Sequence, residues 1–248
     1  MQALIKTDKK KISVSLLIAL HLLPGLLIGG VFFVLSWMFI HWGLTGYLAL
    51  LVTIPIILAP IEIGIMLLWS KKETGKRSLS AVIDYHQQGS VIDYILIPFL
   101  LFICWGFLSI VISPISLYLE AHLPAWLPAW ATQEALINGI LSSSPPQRSI
   151  TFGLAVLFSG FIAPVVEELY FRGFLLSRME HCGWSAPVIN ALLFALYHFY
   201  FPENVLGIFV AFIPVSYAVM LKKNWRIGLV FHSMVNLWGV YNLTTLLI

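Results

Sequence analysis

The sequence predicts an all-α, polytopic integral membrane protein, and three observations carry that expectation. Hydrophobic residues make up 60% of its 248 positions and charged residues only 10%, against roughly 25% charged in a soluble domain. Mean hydropathy is +0.93, so one aqueous core cannot hide the apolar surface and the bilayer must serve as solvent. The apolar residues also gather in stretches of roughly 20, the length a helix needs to cross a hydrocarbon core, with short polar segments between them.

Seven such stretches can be marked in order, at about 14–40, 45–69, 91–118, 150–178, 186–201, 204–221 and 227–247. The first follows a basic run from Lys6 to Lys11 and continues without a small-residue cleavage site, so it reads as a retained helix rather than a cleaved leader. Between the second and third, residues 78–90 alternate apolar and polar groups after a basic cluster, which suits an interfacial helix. Residues 119–148 form the longest polar-leaning loop, with Pro124, Pro128, Pro145 and Pro146, and with Trp126 and Trp130 suited to an interfacial belt. The fifth and sixth stretches are short and are joined by Phe201, Pro202, Glu203 and Asn204, which reads as a helical hairpin. No internal repeat is visible. The chain therefore reads as one membrane domain over 1–248: a three-helix N-terminal part with a long outer loop over 1–148, and a four-helix core over 149–248.

Orientation follows from the basic residues of the short loops. With the N-terminus inside, the inner segments hold Lys6, Lys9, Lys10 and Lys11, then Lys71, Lys72, Lys76 and Arg77. Arg172, Arg178, Lys222, Lys223 and Arg226 complete that side. Thirteen of the 14 Lys and Arg residues thus fall inside, and only Arg148 falls outside. The expected location is the inner cell membrane. A net charge of +3 spread over these clusters fits membrane orientation and excludes a nucleic-acid binder, which would gather charge on one face. Cys104 and Cys182 are far apart, with no disulfide or metal-type pairing.

Ionisable groups inside a bilayer cost roughly 2.5–3.5 kcal/mol each and are functional candidates by default. The fourth stretch carries Glu167 and Glu168, then Arg172. Glu168 and Arg172 are four apart and pair on one helix face, while Glu167 is rotated by about 100° and needs a partner from elsewhere. The fifth stretch offers His198, and the seventh offers His232 and Asn236, again four apart. Each has a structural reading as well: an ion-pair network, a packed histidine, interhelical glue. Depth joins them. At 1.5 Å per residue, Glu167 lies roughly 16 Å along its helix from Arg178. By the same rise Asn236 is about 15 Å and His232 about 9 Å from Arg226, and His198 about 20 Å from Ser185. Costly polar groups from three helices meeting near mid-membrane argue for one polar site. Glu62, after Pro60, is expected to pair with a polar neighbour. His21, beside Pro24, is expected to satisfy a kinked backbone. His41, His86, His122 and His181 fall at interfaces or in loops.

These residues carry a family resemblance. Glu167-Glu168-x-x-x-Arg172, Phe194-x-x-x-His198 and His232-x-x-x-Asn236 resemble, in order and spacing, the motifs of the CAAX-protease and bacteriocin-processing (CPBP) intramembrane peptidases. That family includes the type II CAAX prenyl endopeptidases. The resemblance covers about residues 150–248. The sixth stretch departs from the glycine-rich family pattern, holding only Gly207 and Ala211 as a small-residue pair before Phe212 and Pro214. The resemblance implies an intramembrane endopeptidase of glutamate type acting on a membrane-associated peptide or protein, with the lipid bilayer as its other partner and no cofactor. Glu167 and His198 would hold and deprotonate a water, His232 and Asn236 would donate to the oxyanion, and Glu168 and Arg172 would brace the helix. A zinc site on Glu167, His198 and His232 is the alternative chemistry, although no H-E-x-x-H helix supports it. A non-catalytic binding or bacteriocin-immunity protein is the alternative class. A transporter is disfavoured, since no inverted repeat or pair of broken helices is evident.

Overall fold

The structure, a computed structural model, describes residues 12–123 and 127–245. The Lys6–Lys11 run, Pro124, Trp126 and the end of the 227–247 stretch lie outside the described residues. The chain folds as an all-α bundle: α1 (Val14–His41), α2 (Gly46–Thr74), α3 (Val91–His122), a short α4 (Gln133–Leu141), α5 (145–175), a 3₁₀ segment (Leu176–Ser185), α6 (Ala186–Tyr197), α7 (Val205–Lys222) and α8 (Arg226–Thr245). No strand occurs among the described residues. Five helical stretches are long and apolar enough to cross a membrane, one of them the 53-residue Pro145–Tyr197 run, which holds the fourth and fifth predicted segments together. α8 is not among those five. Its His232, Asn236 and Asn242 lower its mean hydropathy, so a helix that carries two of the site residues falls outside that set. The chain is a polytopic, multi-pass membrane protein.

Local chemistry sets the helix ends. Ser13 caps α1 by accepting the Leu16 N–H, and Thr45 caps α2 through the Leu48 N–H. Ser90 and Asp93 form a capping box at the start of α3. α2 stops at Gly75, whose φ of 76° suits the left-handed cap that glycine takes without strain. Inside α1, Pro24 cannot donate to Leu20, and the freed Leu20 carbonyl instead accepts the Tyr170 hydroxyl at 2.7 Å. His21 does not serve that carbonyl. It donates one turn earlier, to Leu17 O at 2.8 Å, and its other ring nitrogen accepts from Asn190 at 3.2 Å.

Residues 78–90 do not form the expected interfacial helix. Beyond a single 3₁₀ turn at Leu79–Ala81, the segment has no regular secondary structure except one antiparallel bridge between His86 and Asn224. It straps the basic end of the bundle. The Asp84 N–H donates to Gly173 O at 3.2 Å, the Gln87 N–H to Lys223 O at 2.9 Å, and Tyr85 O accepts from Trp225 N–H at 2.9 Å. Val82 and Tyr85 are buried beneath it. Arg178 fastens the strap by donating to Val82 O at 2.8 Å, Asp84 at 3.2 Å and Glu73 at 3.1 Å. The 119–148 region is likewise not all loop, since it holds α4.

The helices close around aromatic packing. α6 lies against α7 and α1, and α1 approaches it so closely that a Cβ on Gly25 would meet the Tyr197 carbonyl. α3 packs on α7 and α8, yet Pro98 is its only buried residue. It stands as an outer wall.

Candidate active site

The site is built where α5, α6 and α8 meet. Glu167 ends the regular turns Ala163–Glu167 of α5, which lie between two π-helical stretches, Ala155–Ile162 and Glu168–Leu175. Such widened turns recur at functional sites because they re-aim side chains. Glu167 and Glu168 consequently face different neighbours, as their 100° offset requires.

Glu168 and Arg172 are both fully buried and meet at 3.1 Å, the i,i+4 pair expected from the spacing. The Arg172 guanidinium lies between the rings of Phe194 and Phe212, 4.1 Å and 4.4 Å from their centroids. Aromatic faces thus supply much of the environment that water would otherwise give the cation. Glu168 also accepts from His232 Nδ1 at 3.1 Å. Gly228, one turn before His232, makes room for that carboxylate. A Cβ there would collide with Glu168 Oε2.

Glu167 is 3% exposed, and the two histidines flank its carboxylate. His198 Nε2 lies 3.8 Å from Oε1 and His232 Nε2 lies 3.7 Å from Oε2. The partners of the other ring nitrogens set the tautomers. His198 Nδ1 is 3.0 Å from Phe194 O, which can only accept, so Nδ1 carries the hydrogen and Nε2 offers a lone pair. His232 Nδ1 faces the Glu168 carboxylate and is assigned its hydrogen on the same ground. Both Nε2 atoms therefore turn towards Glu167.

His198 is not within its helix, as the apolar run suggested. α6 ends at Tyr197 and His198 is its C-cap, with φ −88° and ψ 28°. Pro202 disfavours continued helix through Phe201, and the turn aims the imidazole back at α5. Asn236 makes its hydrogen bond elsewhere than to Glu167. Its amide donates to Ser159 O at 2.8 Å, leaving one N–H to spare. Glu167, His198, His232 and Asn236 nonetheless line one cavity of about 790 Å³. Glu168 and Arg172 lie behind it.

Two residues outside the sequence motifs belong to this assembly. Glu62 of α2 is fully buried and accepts from the Tyr197 hydroxyl at 2.8 Å. Tyr197 immediately precedes His198, so this bond ties α2 to the end of α6 that carries the imidazole. The position of Glu62 inside an apolar helix was the available signal; nothing in the spacing singled out Tyr197. Cys104 and Cys182 are free.

The fold and the site together define a polytopic α-helical membrane protein with a buried acid–histidine centre at the floor of a cavity. Residues 149–238 match the family model described as Rce1-like, type II CAAX prenyl endopeptidase Rce1-like. The chain carries an Rce1-like domain, of a family of membrane proteases, and that domain holds all six residues singled out above from α5, α6 and α8. No curated protein and no solved structure matches the chain.

Proposed function

We propose that the protein is an intramembrane endopeptidase that hydrolyses a peptide bond of a membrane-associated protein or peptide, with Glu167 as general base. The supporting observation is the flanking of the Glu167 carboxylate by His198 Nε2 at 3.8 Å and His232 Nε2 at 3.7 Å at a cavity wall. A water in contact with both Glu167 Oε1 and the His198 Nε2 lone pair is oriented for attack on a carbonyl carbon. As its oxygen bonds to that carbon, its proton passes to Glu167. The proton can then move to His232 Nε2, whose Nδ1–H is already given to Glu168, so that Nε2 becomes a donor as the oxyanion forms. The spare N–H of Asn236 is the second donor on that wall. Collapse of the tetrahedral intermediate breaks the C–N bond, and the His232 proton goes to the leaving amine. Glu168 and Arg172 act as positioning residues that fix His232 and the α5 turn.

The zinc alternative draws on the same Glu167, His198 and His232. Among the described residues, no group of three or more His, Cys, Asp or Glu is arranged to hold a metal ion. Cleavage that persists in purified protein after exhaustive chelation supports the metal-free reading; loss restored by zinc overturns it. The inner cell membrane is the location this reading carries with it.

Glu167→Gln tests the base. It keeps shape and one hydrogen-bonding oxygen but removes the proton acceptor, so cleavage should fall by about 10²–10⁴-fold with thermal stability retained. Undiminished cleavage by well-folded Glu167→Gln refutes the mechanism. A non-catalytic binding protein would instead keep its biological effect through this substitution.

A further inference from the structure

The basic end of the bundle uses its cations in two ways. Some are committed to the fold: Arg178 binds Glu73 and Asp84, and Lys222 binds Asp93 at 2.8 Å. Lys71, Lys72, Lys76 and Arg77 are not. All four are exposed, and among the described residues no carboxylate lies within ion-pair distance of any of them. Glu73, the acid nearest to them in the chain, is already engaged. One of its oxygens accepts from the Trp69 indole at 2.6 Å and the other from Arg178 at 3.1 Å.

The four cations sit on a fixed turn. Ser70 is fully buried; its hydroxyl donates to Lys76 O at 2.8 Å and accepts the Ser78 N–H at 3.1 Å. The Thr74 hydroxyl donates to Ser70 O at 2.9 Å, and the Gly75 N–H returns to Lys71 O at 2.9 Å. The chain after α2 is thereby folded back on residue 70, which brings Lys76 and Arg77 beside the helix end that carries Lys71 and Lys72. Like charges gathered in this way repel, and no described side chain offsets them. An anion from outside the chain would.

Position selects that anion. Lys71 and Lys72 lie in the last turn of a 29-residue helix apolar enough to cross a membrane, Gly46–Thr74, so the turn emerges at the level of lipid headgroups. Tryptophans gather at the same end, as they do at a membrane interface. Trp69 lies one turn before Glu73, with the Lys72 ammonium 5.8 Å from its centroid; Trp184 is 69% exposed; and Trp225 lies under Arg226.

We propose that the Lys71–Arg77 turn is a binding surface for the phosphate headgroups of anionic phospholipids in the adjoining leaflet. Its occupation bears on the rest of the fold. Glu73, inside the turn, holds Arg178, and the strap that follows bonds to Gly173 O of α5 through the Asp84 N–H. A headgroup that relieves the repulsion therefore steadies this whole end. Nothing in this binding requires the peptidase reading.

Full-length protein is purified in mixed micelles of detergent and phosphatidylcholine, with or without phosphatidylglycerol. Phosphatidylglycerol should be enriched among the lipids that stay with the protein and should raise its unfolding temperature. Each neutralised cation should lower the relative affinity for it by about fivefold. Lys71→Gln and Lys76→Gln, made singly, read that loss, and replacement of all four cations by Gln should remove most of the enrichment. Arg148→Gln, at the other end of the bundle, should leave it intact. Undiminished enrichment in the folded fourfold variant, or an equal loss in Arg148→Gln, overturns the assignment. Should the fourfold variant not fold, undiminished enrichment in both single variants overturns it. Inorganic phosphate, added to protein in phosphatidylcholine alone, separates the source. A rise in unfolding temperature matching that from phosphatidylglycerol, and lost in Lys76→Gln, overturns the lipid in favour of a free anion.

Discussion

Removing the Arg172 side chain tests whether the buried ion pair is what holds the site together. Arg172 and Glu168 are both fully buried and 3.1 Å apart, and the guanidinium is enclosed by Phe194 and Phe212. Arg172→Ala leaves the Glu168 carboxylate without its cation and leaves a space between the two rings. Breaking one side of a buried pair costs about 3–5 kcal/mol, which is about 10²–10⁴ in the folded-to-unfolded ratio. The comparison that isolates the charge is Arg172→Ala with Glu168→Gln, in which no uncompensated carboxylate remains. That double variant should be more stable than Arg172→Ala alone, although it still carries the cavity. Arg172→Lys should recover part of the loss, because lysine keeps the charge but not the planar stacking. Equilibrium unfolding in mixed detergent micelles, followed by circular dichroism, gives all four stabilities. An Arg172→Ala protein as stable as the wild type, or a double variant no better than the single, refutes the reasoning.

Gly228→Ala places a methyl group against Glu168 Oε2, and overpacking of this kind costs about 1–3 kcal/mol. Because the displaced carboxylate also holds His232, peptide cleavage should fall by more than the change in thermal unfolding explains. Tyr197→Phe removes the hydrogen-bond donor of buried Glu62 and should lower unfolding stability by about 1–3 kcal/mol. Asn236→Ala should slow kcat by about 10²–10³-fold, the cost of one oxyanion donor, with little change in KM.

The helix plan and the costly residues were legible in the sequence because hydrocarbon penalises both polar backbone and charge, so apolar length and misplaced polarity are strong signals. Glu168 and Arg172 declared their pairing by spacing alone. What escaped the sequence depends on contacts across the bundle. The partnership of Tyr197 with Glu62 spans 135 positions and leaves no local pattern. Gly228 looks like any small residue until the Glu168 carboxylate is found against it. The turn that takes His198 out of its helix was hidden because an apolar run reads the same whether or not its last residues are helical. The 78–90 strap departs from the expected interfacial helix for a physical reason. Its backbone bonds go to Gly173, Lys223, Trp225 and Arg178, far along the chain, and no local pattern announces them.

The site draws on more of the chain than the Rce1-like segment. Residues 149–238 hold Glu167, His198, His232 and Asn236, but their support comes from outside that range. Glu62 of α2 accepts from Tyr197, next to His198. Leu20 of α1 accepts the hydroxyl of Tyr170, three residues after Glu167. Asp84 and Glu73 hold Arg178 at the basic end, and α3 contributes Ser109, Ser113 and Ser116 to the cavity wall. Without the first three helices, the Tyr197 and Tyr170 hydroxyls would lose these acceptors within the bilayer, and the cavity would lose its α3 wall. These cross-contacts argue for residues 1–148 and 149–248 as one membrane domain rather than a catalytic unit with an attached anchor. On that reading the isolated 149–248 fragment cannot hold Glu167 and His198 in register, because the helix end that carries His198 is fixed by a tyrosine whose acceptor lies on α2.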